Sequence, residues 1–126
     1  MPESLFLLPE RYAICRLDAD AESLGWAANG TLVSITRADE ELSVVCPGAI
    51  VPEGVISEGG WIAAKVSGPL PLNATGILSS ILDPLAQADV SVFTSSTFDT
   101  NYILIRHTAL GKAIHALEST GHLVTE

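Results

Sequence analysis

Residues 73–76, Asn-Ala-Thr-Gly, stand just before a run of apolar residues at helical spacing, and they are the residues best placed for chemistry. The first turn of a helix presents unpaired backbone N–H groups and a partial positive charge, which together suit a carboxylate. Gly76 has no side chain and would let a ligand approach the backbone closely. Asp89, Asp99 or Asn101 could accept a hydrogen bond from an ammonium group. The pattern predicts a site for a zwitterion, with a plain helix cap and tight turn as the alternative.

Catalysis is not indicated, because the residues that could act as nucleophiles have no identifiable base. Residues 95–97 carry three consecutive hydroxyl groups, and a serine nucleophile needs a positioned base. The histidines, His107, His115 and His122, all fall in or near the last predicted helix, and nothing in the sequence brings one of them to Ser95. Hydroxyl groups near a hairpin usually satisfy backbone groups. We therefore expect that the protein is not an enzyme.

No metal or cofactor site is predicted. His115 and His122 have loose spacing and no cysteine or carboxylate partner at helical spacing, so we expect surface histidines. Residues 18–22 alternate acidic side chains like a calcium loop but lack its glycine and closing glutamate. Cys15 and Cys46 each sit in an apolar run without CxxC spacing, which favours two buried, reduced thiols.

The charge balance argues against nucleic acid and anionic membranes as partners. The 126 residues include 15 acidic and 6 basic side chains, for a net charge of −9, and the basic ones are scattered. Binding to a phosphate backbone relies on clustered Lys and Arg. No apolar run approaches the roughly 18 residues that span a bilayer, and the N-terminus has no positively charged segment, so we expect a cytoplasmic protein.

The first half of the chain predicts strands and little helix. A polar four-residue turn over 38–41 should join two of the strands as a hairpin. Residues 18–30 leave room for one short helical turn, and Pro52 together with three glycines makes residues 52–60 a connector. The predicted strands cover residues 12–17, 32–37 and 42–46.

The second half predicts the order strand, helix, strand, strand, helix. Thr75 should cap a helix that begins near Gly76, and Pro84 should kink it, unless the helix ends near Leu82. Apolar residues at i, i+4 and i+7 predict a second helix over residues 109–119, which Gly121 should end. The predicted strands cover residues 61–66, 90–95 and 102–106, with a hairpin turn at 97–100.

These elements predict an α+β fold of two ferredoxin-like βαββαβ units, the first abbreviated, with the helices on one face of an antiparallel sheet. We place the boundary so that residues 1–58 form the abbreviated unit and residues 59–126 the complete one. The mean hydropathy of +0.38 and the edge strands of so short a sheet favour pairing with a second copy, so a homodimer is expected.

The chain resembles the ACT-domain family, and within it the bacterial tandem-ACT proteins related to the animal cytosolic arginine sensor. Residues 90–105, Val-Ser-Val-Phe-Thr-Ser-Ser-Thr-Phe-Asp-Thr-Asn-Tyr-Ile-Leu-Ile, are the most specific part of the resemblance. Further matching residues are Trp61, Val-Ser-Gly at 66–68, Thr-Gly-Ile-Leu at 75–78, Asp-Pro-Leu-Ala at 83–86, Ser-Ile-Thr-Arg at 34–37, Glu-Leu-Ser-Val-Val-Cys at 41–46, and Val-Pro at 51–52.

The resemblance implies a regulatory module that binds an amino acid against the loop before the first helix and the start of the second strand. Two departures, Asn101 where relatives have an acidic residue and Asp89 where glycine or asparagine is common, argue against a basic ligand such as arginine. A ligand-free interaction or assembly subunit is the alternative. The implied positions in this chain are Leu72, Asn73, Ala74, Thr75, Gly76, Ile77, Asp89, Val90 and Ser91.

Overall fold

The computed structural model describes residues 2–22 and 24–126, which form two compact units. The N-terminal unit is Glu10–Trp61, and the C-terminal unit combines the residues up to Pro9 with Ile62–Glu126. The strands are β1 (Ser4–Leu17), β2 (Ser34–Arg37), β3 (Leu42–Pro47), β4 (Ile56–Val66), β5 (Val92–Ser96), β6 (Asn101–Arg106) and β7 (Leu123–Thr125). The helices are α1 (Ile77–Gln87) and α2 (Leu110–Ser119), with one-turn 3₁₀ helices at Gly25–Ala27, Gly48–Ile50 and His107–Ala109.

The C-terminal unit runs β4-α1-β5-β6-α2-β7, which confirms the predicted α+β class and the ferredoxin-like βαββαβ order. Alternate residues of the central strands, such as Ala64 and Val66 or Ile103 and Ile105, point toward one core. Both helices bury their apolar stripes in that same core, so both cover one face of the sheet. The helical residues fully buried there are Ile81, Leu85, Ala113 and Leu117.

Strand β1 is longer than the sequence predicts, because it begins at Ser4 rather than at Tyr12. Its first residues lie between β7 and β4 in the hydrogen-bonded order, and Ser4–Phe6 pair in parallel with β7. Leu5 is fully buried in the core of the C-terminal unit. The first residues of β1 therefore pack with the C-terminal unit, although the rest of that unit begins more than fifty positions later in the chain. The division at residues 58 and 59 into two ACT-type units stays a prediction.

Two local predictions are wrong. Residues 56–60 belong to β4 rather than to a connector, since an exposed strand end tolerates Gly59 and Gly60. The N-cap of α1 is Gly76 and not Thr75, and it has the left-handed φ of 82° that favours glycine. Helix α1 also does not end near Leu82, because it continues through Pro84 to Gln87.

The N-terminal unit is built on the predicted hairpin, in which β2 pairs antiparallel with β3 and β3 pairs antiparallel with residues 12–17 of β1. The predicted helical turn is the 3₁₀ helix Gly25–Ala27. Arg37 donates hydrogen bonds to the carbonyl groups of Ala19 and Ala21, which ties the long loop to the hairpin. The small core of this unit contains Ala13, Cys15, Ala27, Val44 and Cys46.

Candidate functional site

A cavity of about 540 Å³ opens in the C-terminal unit, and that volume lies within the range of small-molecule sites. Three segments form it: the loop after β4, the first turns of α1, and the turn that joins β5 to β6. The lining residues are Leu70, Pro71, Leu72, Ala74, Gly76, Ile77, Leu78, Ser79, Leu82, Ser96, Thr97, Phe98, Asp99, Thr100 and Asn101.

Hydrogen bonds hold the loop and the β5–β6 turn together. The Leu70 N–H donates to the Asp99 carbonyl over 2.6 Å, and the buried hydroxyl of Thr100 donates to the Val66 carbonyl over 2.5 Å. A Cβ on Gly68 would lie 2.9 Å from the Asp99 carbonyl oxygen, so only glycine fits at this approach. The two walls of the cavity therefore keep a defined spacing before any ligand binds.

The first turn of α1 lines the cavity. The first intrahelical bond runs from the Ser80 N–H to the Gly76 carbonyl over 3.0 Å, which leaves the N–H groups of Ile77, Leu78 and Ser79 without an intrahelical partner. A Cβ atom on Gly76 would have no neighbouring atom within 4 Å, so there is room for a side chain. The left-handed φ of this residue, rather than a lack of room, is what favours glycine here. This end of the helix can bind a carboxylate.

The β5–β6 turn contributes polar residues to the lining of the same cavity. Asp99 is exposed, and it is the only charged residue among the described residues that line the cavity. Asn101 is half-buried, and its Oδ1 accepts a hydrogen bond from Ser96 Oγ over 2.6 Å, which orients the amide. The lining of one cavity thus combines an acidic residue, a neutral amide and a helix N-terminus.

The structure brings most of the predicted ligand positions to this cavity. Six of them line it, while Asn73 and Thr75 are exposed in the same loop between lining residues. Asp89, Val90 and Ser91 lie beyond the other end of α1, and eleven helical residues rise about 16 Å, so these three are apart from the cavity. The predicted residues that line it are Leu72, Ala74, Gly76, Ile77, Asp99 and Asn101.

The inner wall of the cavity contains residues that the sequence did not single out as ligand contacts. Leu70, Leu78 and Leu82 are half-buried, and together with Ile77 they pack against the hydrophobic core of the unit. Ile77, Leu78 and Leu82 fall in the apolar stripe of α1, which indicates burial but cannot distinguish a core face from a cavity wall. At the rim, Phe98 is 76% exposed, which is unusual for an aromatic side chain in a hairpin turn.

The histidines do not form a site with the cavity. His115 is exposed on α2, as predicted, but the prediction of a surface position for His122 is wrong, because its ring is 5% exposed and hydrogen-bonded on both sides.

No helix among the described residues is long and apolar enough to cross a membrane.

Comparisons with known proteins match the two parts of the chain separately. A family model described as ACT domain matches residues 56–119, and a second model, described as an N-terminal domain, matches residues 10–54. Over 67 residues the chain is 36% identical to the cytosolic arginine sensor for mTORC1 subunit 1 of Bos taurus. That match covers 49% of this chain and 20% of the sensor, so the matched half of the chain corresponds to about a fifth of the bovine protein.

Two solved structures share the fold over nearly the whole chain. A crystal structure of a protein from Agobacterium tumefaciens has a TM-score of 0.94 and 37% identity, and the match covers 100% of this chain and 95% of that one. The regulatory subunit of aspartate kinase from Thermus flavus has a TM-score of 0.62 at 8% identity, with 92% and 95% coverage. At that identity the second likeness concerns the fold alone.

Proposed function

Because the chain belongs to the ACT-domain family, we propose that it is a regulatory module that binds an amino acid in the cavity of its C-terminal unit and catalyses no reaction. The observation that carries the proposal is that the first turn of α1 and Asp99 both line one cavity. The helix end suits the carboxylate of an amino acid, and Asp99 suits its ammonium group. A zwitterion needs both partners.

The bovine relative supports a regulatory role, because it is named as an arginine sensor. Since the bovine protein is also named cytosolic, we place the action of this chain in the cytoplasm. The matched segment is only a fraction of the bovine protein, so we do not carry that protein's ligand or downstream partner over to this chain. Both depend on the residues that this chain has at its own site.

Calorimetric titration of the protein with each of the twenty amino acids tests the proposal. We expect saturable binding of one chemical group of amino acids, without turnover of the ligand. The Asp99→Asn variant should weaken binding at least about tenfold, because a hydrogen bond to a charged group contributes about 1.5–3 kcal/mol.

Asp89→Asn is the matched control, because it makes the same change at an exposed aspartate beyond the far end of α1. It should bind as the unchanged protein does. If Asp89→Asn weakened binding and Asp99→Asn did not, the ligand site would lie at the start of β5, where the family resemblance puts residues 89–91. The absence of binding by any amino acid would contradict the proposal.

We further propose that ligand binding is coupled to the pairing of two copies. Leu72 and Phe98, 70% and 76% exposed, stand at the rim of the cavity, where a second copy could cover them together with the ligand. Sedimentation velocity with and without the bound amino acid tests this, and a ligand-dependent shift from monomer to dimer is expected.

A ligand-free assembly subunit is the second candidate, and the same exposed rim residues favour it. It predicts a dimer whose thermal stability rises with protein concentration while no amino acid changes it. A stable monomer at every concentration would argue against both forms of pairing.

A further inference from the structure

We infer that the cavity selects an amino acid with a large uncharged side chain, of the size of leucine or phenylalanine, over arginine and lysine. The inference rests on the proposed function, and it adds which class of amino acid the site takes. The observations behind it are the charge of the cavity and the composition of its inner wall.

The cavity lining offers one partner for the carboxylate of an amino acid and one for its ammonium group. The α1 N-terminus serves one carboxylate, and Asp99 serves one ammonium group. A basic side chain would bring a second positive charge, and the described lining residues contain no second carboxylate to receive it. Asn101 lies where an acidic residue would supply that charge, but its amide is neutral. A buried cation without a partner is strongly disfavoured, so arginine and lysine lack a complementary site.

The inner wall is suited to an apolar group. Leu70, Leu78 and Leu82 pack against the core, keep part of their surface exposed, and line the cavity. An apolar ligand side chain that covers them removes that surface from water, and the binding free energy grows with the area covered. A cavity of about 540 Å³ accommodates a large side chain, whereas alanine would leave most of the wall wet.

Calorimetric titration with leucine, phenylalanine, alanine, arginine and lysine tests the inference on the unchanged protein. We expect leucine or phenylalanine to bind at least tenfold more tightly than alanine, because each additional buried CH₂ group strengthens binding several-fold. Arginine and lysine should bind no more tightly than alanine.

A substitution at the rim should reverse the preference. Leu72→Glu adds the missing second carboxylate at a residue that is 70% exposed, so the fold should tolerate it. Arginine should then bind at least fivefold more tightly than to the unchanged protein, and leucine should bind less tightly. Ile56→Glu is the matched control, because Ile56 is also 70% exposed and does not line the cavity. It should change neither affinity, and circular dichroism melting checks that both variants are folded.

The outcomes separate the inference from the function on which it rests. Arginine or lysine binding more tightly than leucine, or leucine binding no more tightly than alanine, would overturn the selectivity while leaving an amino-acid-binding module. The same change in affinity for Leu72→Glu and Ile56→Glu would also overturn it, because the effect would then be general electrostatics. Binding of none of the amino acids would overturn both proposals.

Discussion

The Nε2 atom of His122 lies 2.8 Å from the carbonyl oxygen of Ser80, the carbonyl that Pro84 leaves without its helical donor. A helix residue normally donates its N–H to the carbonyl four positions earlier, but proline has no N–H. On the other side of the ring, Nδ1 accepts the Glu3 N–H over 2.9 Å. Because Nδ1 accepts a hydrogen bond, the proton of the imidazole is on Nε2, which donates to Ser80. The ring therefore connects α1 with the residues that directly precede β1 and β7.

Replacing His122 with alanine should lower the free energy of unfolding by about 2–4 kcal/mol, because it leaves two partly buried backbone groups without a partner, at roughly 1–3 kcal/mol each. Urea denaturation measures the change. His115→Ala is the control, since the same substitution on the exposed side of α2 should cost less than about 0.5 kcal/mol. Equal losses for the two variants would show that His122 has no special structural role.

Pro84→Ala should reduce the cost of His122→Ala. The alanine restores an N–H that can donate to the Ser80 carbonyl, so one of the two stranded groups regains a partner. A double-mutant cycle by urea denaturation should give a coupling free energy of about 1 kcal/mol or more. Additive losses would mean that His122 does not substitute for the missing helical donor.

Thr125→Val should raise the free energy of unfolding by about 1 kcal/mol. The Oγ1 of Thr125 is buried, and among the described residues it has no hydrogen-bond partner, so valine removes a desolvation cost while preserving the shape. Thr100→Val is the matched comparison with the opposite sign. Its hydroxyl donates to Val66 over 2.5 Å, and its loss should cost about 1–2 kcal/mol. Thermal melting of both variants checks the signs, and a loss for Thr125→Val would contradict the prediction.

Asp89→Gly should stabilise the protein by about 0.5–1 kcal/mol. Asp89 has a φ of 61°, which glycine adopts without strain, and its carboxylate stands at the negative end of the α1 dipole. Ala86→Gly in the last turn of the same helix should instead lose about 0.5–1 kcal/mol, because glycine is a poor helix former. Chemical denaturation of the pair distinguishes a local backbone effect from a general response to glycine.

Burial, and after it the neighbouring Cys15 sulfur, raise the pKa of the Cys46 thiol from 9.0 to about 12. The thiol is favoured in the folded state, so its contribution to stability is complete below pH 9 and is lost as the pH rises from 9 toward 12. We expect the urea denaturation midpoint to fall as the pH rises from 9 toward 12. The midpoint of the Cys46→Ala variant should fall less steeply than that of the unchanged protein. A parallel decline for both proteins would contradict this assignment.

The same burial should protect both cysteines from alkylation. Cys15 and Cys46 are 1% and 0% exposed, and the thiolate is the reactive form. Iodoacetamide at pH 8 should modify neither thiol in the folded protein and both in urea. Rapid modification under native conditions would show that the N-terminal unit opens readily.

Local patterns in the sequence determined most of the secondary structure. They also determined the part of the site that is formed by the loop before Gly76 and the start of α1. The periodicity of α1, the β2–β3 turn and the loop before Gly76 are encoded by neighbouring residues, so they could be predicted without tertiary contacts. The acidic composition likewise needed no structure.

Tertiary contacts decided the remainder, because they join residues that are far apart in the chain. Ser4–Phe6 became a strand by pairing with β7, and the buried position of His122 follows from Glu3 and Ser80, which lie 119 and 42 residues away. Asp99 and the α1 N-terminus line one cavity, and the hydrogen bond from the Leu70 N–H to the Asp99 carbonyl helps to hold their two segments together. Asp89 is as close to α1 in sequence as the capping loop is, yet the length of the helix keeps it from the cavity. Side-chain type could suggest a zwitterion site, but the distance between its two halves is a property of the folded chain.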